Sequence, residues 1–299
     1  MARLIANRVS TQVARAIAAA VIGLVVLSVG AAVATPALRH MASGWWNNPD
    51  GLPALPQNPQ VHYEDGASEY ARIVARLMPA ALARVEAANG RPFAHPVTVG
   101  VYVSRANFAA ANRTGGARAV GVTFLGRVML SPVLLSTQRN RLVAILTHEL
   151  CHAHMHSWMS ELTYLALPNW FKEGLAVMVS GGGGAEGVSE AQAREAILDD
   201  DHFAVDDHGS LLDFISIRMA HQPVVPDTSF RIEMAYRQSG MFMAFLHDSN
   251  PAAFARLMNA ILDGRPFAAA VRMSYGADLN ALWDQFVRGL KNSDTTGAN

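Results

Sequence analysis

Between residues 68 and 89 the apolar side chains Ile73, Val74, Leu77, Met78, Ala81, Leu82 and Val85 recur at the three- and four-residue spacing of one helix face. The pattern predicts a helix that Asn89-Gly90 terminates, with Pro79 as a point where it kinks or splits. Val97, Val99, Val101 and Val103 then alternate with Thr98, Gly100, Tyr102 and Ser104, which predicts a strand with one face buried. A second strand is expected over 120–130, broken by a bulge or turn at Gly126-Arg127. Helical spacing returns over 136–156, with a stripe of Leu142, Val143, Ile145, Leu146 and Leu150. Pro168-Asn169 opens another helix, running to about Val179, and Ser180 with Gly181 to Gly184 ends it as a flexible loop. Ser189-Glu190-Ala191-Gln192 is a capping-box pattern that starts a short helix toward Leu198. Three further helices are expected over 234–247, 251–262 and 279–290. Residues 39–59, rich in Pro, Gly, Asn and Trp, have neither period and read as a linker. The order predicts an α+β fold: a small β-sheet packed beside the helix at 136–156, followed by a mainly helical C-terminal part.

The N-terminus changes this picture. Arg3, Arg8 and Arg15 precede an uncharged run from Ala16 to Ala34, followed by Thr35-Pro36. A run of about 20 apolar residues is the length of a transmembrane helix, and positive charge ahead of it places residues 36–299 outside the cytosol. Ala32-Val33-Ala34 also fits a signal peptidase site, although the run exceeds the roughly 7–15 apolar residues of a cleaved signal. Anchor and signal peptide both stay open. The expected organisation is therefore anchor or signal at 1–35, linker at 36–60, one domain at 61–292 and a tail at 293–299. Trp45 and Trp46 sit where side chains could meet a headgroup layer or pack on the domain.

Charge is balanced, at formal net zero, and charged residues are only 16% of the chain. The arginines are scattered and only Lys172 and Lys291 are lysines, so no basic block points to nucleic acid. A single cysteine, Cys151, allows no disulfide within the chain. It is either a buried packing residue or, less simply, a fourth metal ligand or redox group.

Chemistry concentrates on His148-Glu149-Leu150-Cys151-His152. At about 3.6 residues per turn, histidines four apart lie on one helix face and can reach one metal. Glu149 can then lean over the open coordination position as general base. Glu173, in Trp170-Phe171-Lys172-Glu173-Gly174, is a carboxylate at the start of a second helix and completes a His/His/carboxylate set. Met155 and Trp158 stand where a metzincin would need Gly and His, which excludes that branch. His154 and His156 extend the cluster, His156 toward the same side as His152, and both also fit a role as helix-end histidines. Asp199-Asp200-Asp201 with Asp206-Asp207 lacks the spacing of a calcium loop and reads as a solvated turn.

His148-Glu149-Leu150-x-His152 with Pro168-x-Trp170-Phe171-x-Glu173-Gly174-Leu175-Ala176 resembles the gluzincin zinc metallopeptidases, especially the bacterial peptidase MA-like domain. Tyr236-Arg237-Gln238-Ser239-Gly240, and Asp263-Gly264 with Tyr275-Gly276-Ala277-Asp278-Leu279, resemble later segments of that family, so the similarity covers roughly residues 95–290. The resemblance implies a hydrolase using one Zn²⁺, held by His148, His152 and Glu173, with Glu149 as base and a peptide or protein as substrate. Glu161 is a rival third ligand, disfavoured by the Glu-Gly setting of Glu173. Tyr236 is a candidate to stabilise the oxyanion, or else anchors its helix to the core. The strand at 120–130 would border the cleft and hold an extended peptide by main-chain hydrogen bonds. A catalytically weak gluzincin-fold binding or scaffold protein is the alternative.

Overall fold

The structure is a computed structural model that describes residues 43–112, 119–209, 220 and 229–296, with side chains described to residue 292. Its elements are β1 (Ala54–Leu55), β2 (Asn58–Tyr63), α1 (Ser68–Asn89), β3 (Val99–Val101), α2 (Arg105–Ala111), β4 (Gly121–Phe124) and β5 (Arg127–Leu130). There follow α3 (Leu142–Trp158), α4 (Glu161–Ala166), α5 (Asn169–Ser180), α6 (Glu190–Leu198), α7 (Ser229–Ser249), α8 (Pro251–Leu262), α9 (Phe267–Tyr275) and α10 (Leu279–Thr296). This is the expected α+β arrangement, a small mixed sheet followed by helices.

The strands form one sheet in the order β1-β2-β3-β5-β4. β3 lies parallel to β2 and to β5, with Val99 opposite Val61 and Val128, while β4 closes one edge antiparallel to β5. Residues 43–59, expected to be linker, instead carry the 3₁₀ turn Pro49–Gly51, β1 and the first residues of β2. The expected one-sided strand at Val97 to Val103 is corrected too. β3 is central and buried on both faces, because Pro49 packs over Gly100, where a Cβ would lie 2.5 Å from the proline ring. The break at Gly126 is a tight turn: Leu125 and Gly126 take φ of 49° and 75° and join β4 to β5.

α1 runs unbroken through Pro79, which sits on its solvent face, where the carbonyl deprived of a partner can be hydrated. Gly90, at φ 73°, ends it. α3 starts later than the apolar pattern suggested, after 3₁₀ turns at Pro132–Leu134 and Arg139–Arg141. It is buried almost all round because it packs on α1, α5, β4 and β5 together. Among the described residues the C-terminal part holds four helices from Ser229 onward rather than three; α9, between two turn segments, is the addition.

Residues 16–34, the expected membrane segment, lie outside the described residues. Among the described residues no helix is long and apolar enough to cross a membrane. Trp45 and Trp46 are 58% and 82% exposed.

Candidate metal centre

His148 and His152 leave α3 on the same face, and their Nε2 atoms are 3.1 Å apart. Glu173, from the first turns of α5, brings Oε2 to 3.2 Å from His148 Nε2 and 3.5 Å from His152 Nε2. All three residues named from the sequence as ligands therefore converge. One ligand atom from each lies within 4.8 Å of the others.

Aromatic packing fixes α5. Trp170 is buried against Phe171, Phe203, Phe242 and Phe267, and its indole N–H donates to the Asp206 carbonyl at 2.8 Å. Gly174 then lets α7 approach, since a Cβ there would lie 2.7 Å from the Ser239 carbonyl oxygen. The Trp-Phe-x-Glu-Gly pattern is thus an anchor, a ligand and a helix contact in succession. Gly174→Ala should force α5 and α7 apart, lower unfolding stability by about 1–3 kcal/mol, and weaken metal binding. Denaturant unfolding and a chelator competition would read the two effects separately.

The loop after α5 is not free. Gly183 accepts a hydrogen bond from His148 Nδ1 at 2.8 Å, and its own N–H donates to Ser180 Oγ at 2.9 Å. A Cβ on Gly183 would lie 2.7 Å from the Ala144 carbonyl, so only glycine allows this approach to α3. On the other histidine, Tyr164 Oη of α4 lies 3.0 Å from His152 Nδ1. With Nδ1 of His148 and of His152 engaged, the two Nε2 lone pairs and the carboxylate point at one another. With both histidines neutral, three converging acceptors repel unless a proton or a metal ion lies between them, and this nitrogen and oxygen set suits zinc.

Charge follows the geometry. Burial alone would raise the Glu173 pKa, but His152 and His148 hold it well below the usual carboxylate range. Burial likewise opposes protonation of His148, yet the hydrogen bond and charge of Glu173 raise its pKa, aided by Glu149.

Glu149 is buried beside the histidines and lines the same cleft of roughly 540 Å³. Thr123 Oγ1 lies 2.8 Å from its Oε2 and 2.9 Å from its backbone carbonyl, and donates its one hydrogen to either. Gly121, two residues earlier on the same strand face, leaves room for the carboxylate, since a Cβ would come within 2.8 Å of Glu149 Cγ. β4 borders the cleft, as the chain order suggested. Tyr236 of α7 also lines it, stacked 6.3 Å from the His148 ring; burial, then the charge of Glu173, push its phenol pKa far up. It is neutral and a donor at any physiological pH.

The remaining candidates separate. Glu161 opens α4 and pairs with His156 at 3.2 Å, so it is not part of the ligand group. His156 lines the cleft. Cys151 is fully buried, which pushes its thiol up to about 12 and makes it a packing residue. His154 is a core histidine: Asn89 Nδ2 donates to its Nδ1 and its Nε2–H donates to the Arg91 carbonyl, both at 2.9 Å. Burial lowers its pKa from the usual 6.5, against the hydrogen bonds to Arg91 and Pro92 that favour the proton. The unfolded chain takes up that proton first, so stability is full above pH 6.5 and falls as pH drops toward the folded value. Urea titrations of chelator-treated protein between neutral and acid pH should show this loss, and His154→Gln should flatten it.

Thr123, Gly121, Gly183 and Tyr164 escaped the sequence reading. Only the small and hydroxylated residues at 121 and 123, in an otherwise apolar strand, hinted at a neighbour needing room.

Neither a curated protein nor a solved structure matches the chain. The family model described as the peptidase MA superfamily matches residues 78–292, from within α1 to within α10, and so takes in β3 to β5, the histidine helix and α5. With most of its length covered and the His148, His152 and Glu173 group inside the match, the chain belongs to the peptidase MA superfamily.

Proposed function

We propose that this protein is a zinc metallopeptidase that cleaves peptide bonds outside the cytosol, held at the membrane by residues 16–34 or released if that segment is cut. The observation that carries the reading is the convergence of His148, His152 and Glu173 with Glu149 beside them in one cleft. Zinc held by these three ligands would supply Lewis acidity, polarising the scissile carbonyl and acidifying a water molecule.

The chain's own groups then divide the work. Glu149 takes the proton from the attacking water and hands it to the leaving amine, with Thr123 fixing the carboxylate on the cleft side. Tyr236 donates its phenol hydrogen toward charge developing on the carbonyl oxygen. Among the described residues β4 is an end strand of the sheet, paired with β5, and it lines the cleft, where it can bind an extended substrate backbone. The sequence ahead of His148 carries no exopeptidase motif, which favours endopeptidase action.

Metal analysis of the purified full-length chain, paired with cleavage of a peptide library, tests the reading. About one zinc per chain and zinc-dependent cleavage are expected. Protein that binds no stoichiometric metal at micromolar zinc would remove the ligand assignment. Bound zinc with no peptide cleaved would instead favour a binding or scaffold role for the same fold.

A further inference from the structure

We infer that Tyr164 is a positioning residue for His152, selecting the imidazole tautomer that can ligate metal; the inference rests on the metal-centre reading above. His152 turns Nε2 toward His148 and Glu173, at 3.1 and 3.5 Å, so Nε2 must carry a lone pair. A neutral imidazole has one N–H, which is then on Nδ1. The group facing Nδ1 is Tyr164 Oη, at 3.0 Å. The phenol oxygen accepts that hydrogen and fixes both the tautomer and the ring angle.

His148 meets the same need with the Gly183 carbonyl at 2.8 Å, a group that can only accept. A phenol can donate or accept; metal on Nε2 leaves Nδ1 protonated, so Tyr164 accepts, and it favours this tautomer only while its ring is held beside Nδ1. Two contacts hold it. The ring stacks on His156 of α3, with centroids 3.8 Å apart and planes 30° from parallel. Lys172 of α5 sets Nζ 4.7 Å from the ring centroid and donates to the Tyr164 carbonyl at 3.4 Å. The helix that carries Tyr164 is itself capped by Ser160, whose Oγ accepts from Thr163 N at 3.2 Å. Lys172 immediately precedes the ligand Glu173, and His156 lies one turn beyond the ligand His152. Helices α3, α4 and α5 are thus tied together through one tyrosine at the metal centre.

Partners of this kind typically change metal affinity by about 10–100-fold when removed. Tyr164→Phe keeps the ring, its stacking and its cation contact and deletes only the oxygen. In the full-length protein, chelator competition should show zinc binding weakened by about 10–100-fold, the cobalt-substituted variant should have an altered visible spectrum, and thermal unfolding of the metal-free protein should match wild type. Wild-type zinc affinity and an unchanged cobalt spectrum in Tyr164→Phe would overturn the inference while leaving the metal centre intact. Weaker binding matched by a loss of metal-free stability would also overturn it, since that marks a purely structural residue. A wild-type chain that binds no zinc would overturn the metal centre and this inference together.

Discussion

Glu149→Gln should leave zinc binding close to wild type and lower turnover by about 10²–10⁴-fold, the range that a positioned acid–base group contributes. Glutamine has nearly the same shape and can still accept from Thr123 through its amide oxygen, so the contact at 2.8 Å can persist. What disappears is the ability to hold a proton between attack and departure of the amine. Glu149 is outside the converging ligand group, so the metal should stay. Single-turnover cleavage with saturating substrate would place the loss in kcat rather than KM. A variant that cleaves at the wild-type rate would show that another group takes the proton. A variant that also loses zinc would make Glu149 part of the binding set. Gly121→Ala offers a second approach to the same carboxylate: its Cβ would press on Glu149 Cγ and Oε1, at 2.8 and 2.9 Å, and turnover should drop with the base still present.

The two histidines and Glu149 were legible because their arrangement is local: helix geometry alone places positions four apart on one face. Glu173 was legible through its neighbours, since Trp170, Phe171 and Gly174 each have a packing duty that constrains residue type. The groups behind the ligands were not legible. The Gly183 carbonyl reaches His148 only because a glycine loop folds back onto Ala144, and a backbone oxygen leaves no side-chain signature. Tyr164 reaches His152 through a short helix whose six residues are too few to show a period. Likewise β2 was read as the edge of a linker because in Asn58–Tyr63 only Val61 is buried, its place set by pairing with the distant β3. His154 shows the converse, for its position in the histidine run says nothing of the Asn89 and Arg91 contacts that keep it in the core.

His148→Ala should abolish stoichiometric zinc and reduce peptide cleavage to background. Truncation removes one of three ligands, and zinc in a catalytic site has no spare protein donor. Among the described residues the two nearest candidates do not supply one: Glu161 is committed to His156, and Cys151 is buried with a thiol that resists ionisation. A thermal-shift measurement reads the loss without any substrate. A ligand at about 1,000 times its dissociation constant adds about 4 kcal/mol to the folded state, so wild-type protein should melt at a distinctly higher temperature with zinc than with chelator. His148→Ala should melt at the same temperature in both. Comparing each protein with and without zinc separates this from the stability lost by truncating the buried His148 ring itself, which includes its hydrogen bond to Gly183, about 0.5–1.5 kcal/mol. Retention of a zinc-dependent shift in His148→Ala would mean that the metal is held elsewhere, and the ligand assignment would fall with it.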